Sequence, residues 1–248
     1  MRSIFFALLM LLTVSARAQV TVTNYASGRP EIAPESLAIV DGLDLQVQAE
    51  SARSIAALPW SLAGTGVSVE GVPARLRFVG SRSIVFMVPR MAARFSKSRV
   101  TVRIVAPQDE IAIEVDFAQV SPGLLCYGAP RDDCFPPQAI YYQQGNAPLL
   151  VDGEPLALSQ WNNDARIQIV GTGMRGASRN SVEVKLCDSA LEVTYIGPYM
   201  NMQGMDCVTF ILPVSLPAGC AAGRQPITVT ANGKTSNVAL LNLKESQP

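Results

Sequence analysis

The chain contains no histidine. That absence excludes Ser-His-Asp and Cys-His catalysis, histidine-ligated zinc and any histidine pH switch. It has no C-x-x-C pair among its five cysteines, which argues against a zinc site. It also lacks a charge excess: 20 basic residues balance 20 acidic ones. Nucleic acid and anionic membranes need clustered positive charge, so neither is an expected partner. The small basic group Arg90, Arg94, Lys97 and Arg99 reads as a solvated loop. After the N-terminal run, no stretch is apolar for the roughly twenty residues a membrane-spanning helix needs.

What is present starts with a leader. Met1-Arg2-Ser3 is followed by the apolar run from Ile4 to Val14 and then by Ala16-Arg17-Ala18. A positive start, a short hydrophobic middle and an A-x-A site form a signal-peptide layout over residues 1–18. Gln19 rather than cysteine follows the site, so nothing indicates a lipid anchor. The expected location is secreted, periplasmic or at the cell surface. Removing Arg2 and Arg17 leaves 18 basic against 20 acidic residues.

All five cysteines lie between Cys126 and Cys220. In an exported chain, disulfides are the default reading. Cys126 and Cys134 flank a short loop and can close it. The expected strand order favours Cys187 with Cys220 and leaves Cys207 unpaired.

Period-two alternation dominates the rest. Val20–Thr23 and Ser36–Val40 read as strands, and Leu43, Leu45 and Val47 alternate with polar residues as a half-buried strand. Ala49–Leu58 is expected to form a helical turn stopped by Pro59. Leu76 and Phe78 are expected on one face, Arg75 and Arg77 on the other. Val100, Val102 and Ile104, then Ile111, Ile113, Val115 and Phe117, continue the pattern. Leu149–Val151 and Leu156–Leu158 are expected to pair as a hairpin around Asp152-Gly153. Strands at Val182–Leu186, Leu191–Ile196, Val208–Leu212, Ile227–Thr230 and Val238–Leu243 complete the series, with Asn232-Gly233 as a tight-turn signal.

The order is written twice. Val67–Val69 and Ala74–Gly80 match Val182–Val184 and Ala190–Gly197; Ile84–Pro89 matches Val208–Pro213; Val100–Val102 matches Ile227–Val229. The offset runs from 115 residues at Val67 and Val182 to 127 at Val100 and Ile227. The fold class is therefore all-β: two tandem immunoglobulin-like sandwiches, residues 19–120 and 121–248, the second opening with a Cys- and aromatic-rich segment.

Several segments carry a resemblance: Val69-Glu70-Gly71-Val72-Pro73-Ala74, Ser121-Pro122-Gly123-Leu124, Ile169–Met174, Leu212-Pro213 with Leu216–Gly219, and Ile227–Gly233 with Ser236-Asn237. They resemble the extracellular C-terminal domain of acidobacterial (Solibacter-type) proteins, itself similar to the IPT/TIG immunoglobulin-like fold. The resemblance implies a fold and no activity.

The candidate recognition loop is Tyr127, Arg131, Asp132 and Asp133 with Phe135. One reading is a presented contact loop, because aromatics on a rigid scaffold supply contact area cheaply. The other is an interdomain staple burying Phe135, Tyr141 and Tyr142. Asp132 and Asp133 are adjacent, which suits neither the separated carboxyls of a glycosidase nor a calcium loop. Tyr199–Met205 reads as an apolar loop that either meets a partner or caps a sandwich end, with copper on its methionines a remote option. Trp60 and Trp161 read as packing residues. No cofactor, metal or catalytic residue is expected. The expected function is a non-catalytic module binding an unknown protein or a surface glycan, with a carbohydrate-binding module as the alternative and a hydrolase behind it. Export predicts a mature N-terminus at Gln19, checked by intact mass and N-terminal sequencing of the protein from the culture or envelope fraction; an uncleaved Met1 refutes the leader.

Overall fold

A computed structural model describes residues 19–127, 134–142, 149–151, 153–157 and 165–244. Among them the regular structure is strand, apart from two 3-10 turns at Arg90–Arg94 and Arg179–Ser181. The first eleven strands are β1 (Thr21–Asn24), β2 (Glu31–Ile32), β3 (Leu37–Asp41), β4 (Glu50–Ser51), β5 (Ser61–Leu62), β6 (Thr65–Val69), β7 (Val72–Pro73), β8 (Arg75–Val79), β9 (Ser83–Met87), β10 (Arg99–Val105) and β11 (Glu110–Phe117). They form two sheets, β1-β3-β9-β8-β4 and β2-β11-β10-β6-β5, with β7 on β6. Then come β12 (Gly123–Leu124), β13 (Ala139–Tyr142), β14 (Leu149–Val151), β15 (Leu156–Ala157), β16 (Arg166–Thr172), β17 (Val182–Leu186), β18 (Ser189–Leu191), β19 (Val193–Pro198), β20 (Asp206–Ile211), β21 (Gly223–Ala231), β22 (Lys234–Thr235) and β23 (Ala239–Lys244). Their sheets are β14-β13-β16-β20-β19, with β12 on β16, and β15-β23-β21-β17-β18, with β22 on β21.

The ladder order identifies the fold. In the first sandwich β1, β3, β9 and β8 take the places of strands A, B, E and D, and β6, β10 and β11 those of C, F and G. The short β2 runs parallel to β11, closing that edge. The second sandwich repeats all of this, including the parallel pair of β15 with β23. Even the irregularities recur: a bulge between Leu76 and Phe78 in β8 has its counterpart between Val193 and Tyr195 in β19. The chain is thus two tandem immunoglobulin-like sandwiches.

Alternation makes each core. Val100, Val102 and Ile104 of β10 point inward and are fully buried, while Arg99, Arg103 and Val105 face water. Ile227 and Val229 of β21 do the same in the second sandwich. Each such side chain contributes about 1.5–3 kcal/mol of transfer free energy. Tight turns set the register. Glu70-Gly71 and Asn232-Gly233 each place φ near +48° and +77°, the two positive values a type I′ hairpin turn requires.

Four expectations differ from the structure. Residues 43–47 alternate in burial but join no ladder; the Leu43 and Leu45 N–H groups bond to Arg82 O and Ser81 O in a turn instead. The stretch 49–58 is not helical, because Glu50–Ser51 pairs with β8. The bulge in β8 turns Val79 inward in place of Phe78, whose ring tip lies 2.8 Å from where a Cβ on Gly80 would sit. The hairpin at 149–158 does not form: β14 pairs with β13, whereas β15 crosses to the other sheet and pairs with β23. A parallel A′ strand demands that crossing, and no local turn signal reveals it.

The sandwiches meet in a third apolar cluster. Ala26 and Leu37 from the first pack with Leu125, Val170, Tyr199, Met205 and Cys207 from the second. Polar groups lock it. Asn24, fully buried, donates to Ser121 O at 2.8 Å while its Oδ1 accepts from Ala26 and Ser27. The Leu37 N–H donates to Thr172 Oγ1 at 2.8 Å, which in turn donates to Gly204 O. Arg175 reaches three ways: Nε to Asp206 Oδ1 at 2.9 Å, Nη2 to Met205 O at 2.8 Å and Nη1 to Glu35 Oε1 at 3.2 Å, the last across the junction. Asp206 is 0 % exposed and also accepts from the Met174 and Arg175 backbone N–H groups. Glycine makes the approach possible. Gly173 sits at φ +77° with room for no Cβ, since one would lie 2.0 Å from Ser121 O.

Burial raises the Asp206 pKa, and Arg175 with the two N–H groups opposes that rise. Arg175→Met therefore strands a buried carboxylate, and the expected loss is about 3–5 kcal/mol near neutral pH. An acid whose folded pKa lies above its unfolded value gains relative stability as pH falls through the folded pKa. The deficit of Arg175→Met accordingly shrinks on acidification, as paired thermal melts across acidic and neutral pH check; a pH-independent deficit contradicts the assignment.

Candidate functional site

The Cys126–Cys134 disulfide spans eight residues with Cα atoms 5.3 Å apart. Both sulfurs are buried and pinned to the second sandwich. Cys126 bridges Pro137, and Cys134 bridges Ala239. The Tyr127 N–H donates to Pro136 O at 3.1 Å and the Leu240 N–H to Cys134 O at 2.9 Å, so the base of the loop is sewn to a core strand. Tyr127 emerges 47 % exposed. Phe135 is half-buried, with the Arg224 guanidinium 3.7 Å from its ring centre. Tyr127 is thus exposed, and Phe135 packs against Arg224 and Gly153 of its own sandwich. Arg131, Asp132 and Asp133 lie outside the described residues, as do Trp161 and the side chains of Tyr141 and Tyr142. The second disulfide, Cys187–Cys220, spans 33 residues, and Cys207 is unpaired.

Beside Tyr127 a narrow cleft of about 130 Å³ opens between the sandwiches. Tyr25 and Arg77 line it from the first sandwich, Leu125, Tyr127, Gln138 and Met205 from the second. Arg77 projects from β8 with its guanidinium 5.5 Å from the Tyr25 ring centre. Two residues earlier, Arg75 stacks on Trp60 at 4.1 Å and donates to Leu58 O at 2.7 Å. Gln138 donates its side-chain amide to Cys126 O at 3.4 Å. Nothing in the local sequence signals the cleft, because Arg77 and Gln138 are 61 residues apart and come together only at the junction.

A second, open concavity of about 640 Å³ lies on the outer face of β16, β20 and β19, lined by Gln168, Tyr195, Met200, Asn201 and Thr209. Tyr195 is 43 % exposed, and its hydroxyl donates to Pro198 O at 3.0 Å. Its tip occupies the space a Cβ on Gly197 would fill, 2.7 Å away. Trp60 is exposed on the other sandwich beneath Arg75. Among the described residues the two rings that meet are Phe95 and Phe117, tilted by 54°. The Tyr199–Met205 loop packs at the end of the second sandwich against the first: the Gln203 N–H donates to Ile55 O at 2.9 Å, and Tyr199 and Met205 are buried in the junction.

Several charged groups pair with one another. Glu35 and Asp206 share Arg175. The basic group near Arg90 is offset by acids: Lys97 pairs with Glu70 at 2.8 Å and Arg99 with Asp116 at 3.3 Å. No cluster of three or more His, Cys, Asp or Glu side chains among the described residues is placed to hold a metal ion. Among the same residues no helix is long and apolar enough to cross a membrane. Burial, with a smaller push from Asp206, moves the Cys207 thiol up to about 12. Thiolate is the reactive form. Native protein is therefore expected to show no reactive thiol at neutral pH and one per chain after unfolding without reductant, as counted by Ellman titration.

No family model matches the chain, and no curated protein does. Three solved structures are distantly similar. Domains 5–6 of the S-layer protein SbsC align with 92% of this chain and 98% of theirs, at 11% identity and TM-score 0.28. The titin Ig tandem domains A164–A165 align with 88% of this chain and 92% of theirs, at 9% identity and TM-score 0.24. Titin A168–A169 aligns with 92% and 97%, at 7% identity and TM-score 0.23. These scores are low, and the immunoglobulin-like fold rests on the strand ladders; the acidobacterial resemblance stays an expectation of the sequence.

Proposed function

We propose that the chain is an exported, non-catalytic immunoglobulin-like module that binds a protein or cell-surface partner through its disulfide-closed end. The units are residues 19–120 and 121–248, following a leader at 1–18. The observation that carries this reading is the Cys126–Cys134 loop itself: its base is bonded to a core strand, and it holds Tyr127 out at the mouth of the junction cleft. A rigid base lets an aromatic contact residue bind without a large ordering cost. The two disulfides are compatible with an oxidising compartment. Arg175, Glu35 and Asp206 of the junction are engaged with one another, which supports binding over catalysis for that group.

One observation favours the carbohydrate-binding alternative: the Tyr195 ring is held down over Gly197 beside Gln168, Asn201 and Thr209, amide and hydroxyl chemistry suited to a neutral sugar. Sugar platforms with strong affinity use more than one ring, and Tyr195 is single among the described residues of that face. A hydrolase finds less support still.

Retention of purified protein on the outer surface of the source cells tests the reading. Tyr127→Ala is expected to lower retention at least tenfold, with the melting temperature unchanged, about 1.4 kcal/mol or more for an anchoring aromatic. Equal retention of Tyr127→Ala, or loss only with Tyr195→Ala together with a glycan-array signal, overturns it in favour of sugar binding.

A further inference from the structure

We propose that the junction cleft is a subsite for a single carboxylate, the Asp or Glu side chain of a bound protein, with Arg77 as its counter-charge. This rests on the reading of the disulfide-closed end as a recognition surface and names the chemistry recognised there.

The inference starts from a comparison of arginines around the junction. Arg175 has Asp206 and Glu35. Arg29 donates to Thr235 O and Ser236 O. Arg75 has Leu58 O and Trp60. Among the described residues Arg77 has no carboxylate and no side-chain hydrogen bond, only the ring of Tyr25. It is nevertheless half-buried, in a cleft between two folded units. Its charge therefore faces the cleft with a ring and no acid beside it. Arginine is also always charged and presents a planar fork that fits a carboxylate in bidentate fashion.

The walls fit the same group. The cleft, of about 130 Å³, has room for a short side chain. Gln138 spends one N–H on Cys126 O and retains the second. Tyr25 and Tyr127 carry phenol hydroxyls that can donate to an anion. Leu125 and Met205 supply an apolar floor that lowers the local dielectric and strengthens any ion pair formed there. Tyr127 lines the cleft and is exposed, so a ligand presented on a protein surface meets its ring and the cleft together.

The test is an NMR titration of the intact mature chain, following the Arg77 side-chain Nε–H and the Gln138 amide. The probes are the capped tripeptides acetyl-Gly-Glu-Gly-amide and acetyl-Gly-Gln-Gly-amide, with sodium acetate as a third arm. The expected result is a saturable shift of both signals with the Glu peptide, at a Kd on the order of 1 mM. The Gln peptide binds at least tenfold more weakly, and Arg77→Gln removes the response. Arg77→Lys keeps the charge but loses the fork, so it weakens binding several-fold and also serves if Arg77→Gln fails to fold. Equal responses to the two peptides, a Glu response that survives Arg77→Gln, or shifts confined to exposed arginines such as Arg82 overturn the proposal. Acetate saturating the same signals more tightly than the Glu peptide overturns the assignment to a protein side chain. If the peptides fail while Tyr127→Ala still abolishes cell-surface retention, the module reading stands and only the carboxylate subsite falls.

Discussion

One guanidinium sets the geometry of this protein. Arg175 holds the buried Asp206 of its own sandwich and reaches Glu35 of the other. Buried ion pairs add little net stability, because desolvation consumes most of their attraction. Their directionality is what counts here. The bonds to Asp206, Met205 O and Glu35 are satisfied together only at one relative placement of the two sandwiches. Asn24 and Thr172 impose the same condition from other sides of the contact. An apolar seam alone imposes no such directional condition.

Fixing that placement creates the cleft. Arg77 belongs to β8 and Gln138 to the segment leading into β13, and neither sandwich alone has the pocket they share. Cys126 and Tyr127 line the same cleft, so one end of the disulfide lies at this boundary. Flexible tandem modules spread their contacts along a string. Here the two modules are joined by directional bonds at one seam.

Much of the fold was legible because strand alternation is a local property. Val100-Thr101-Val102 and Ile227-Thr228-Val229 reveal their inner faces without any knowledge of partners. The misreadings mark where local rules yield to tertiary ones. Leu43 and Leu45 alternate like a strand but find their hydrogen bonds in a turn. Phe78 is displaced from the core by a bulge, which inserts a residue and inverts the facing thereafter. Leu156 leaves an apparent hairpin to pair across the sandwich. The site was less legible still. The cysteine loop stood out by composition, but Arg77, Arg175 and Asp206 look like ordinary punctuation in sequence. Their environments arise from residues up to 140 positions away.

The way the two repeats touch has a further consequence. The first sandwich offers the Leu37 and Met87 end of its β3–β9 ladder; the second offers the opposite end of the equivalent β16–β20 ladder, at Val170 and Cys207. Such a contact is polar in the sense of a filament: nothing in its symmetry stops another copy from adding in the same way. The position on the second sandwich that corresponds to buried Leu37 is Arg166, which pairs with Ile211 as Leu37 pairs with Met87. Arg166 stands exposed. A third unit stacked in the same manner would have to dehydrate that charge.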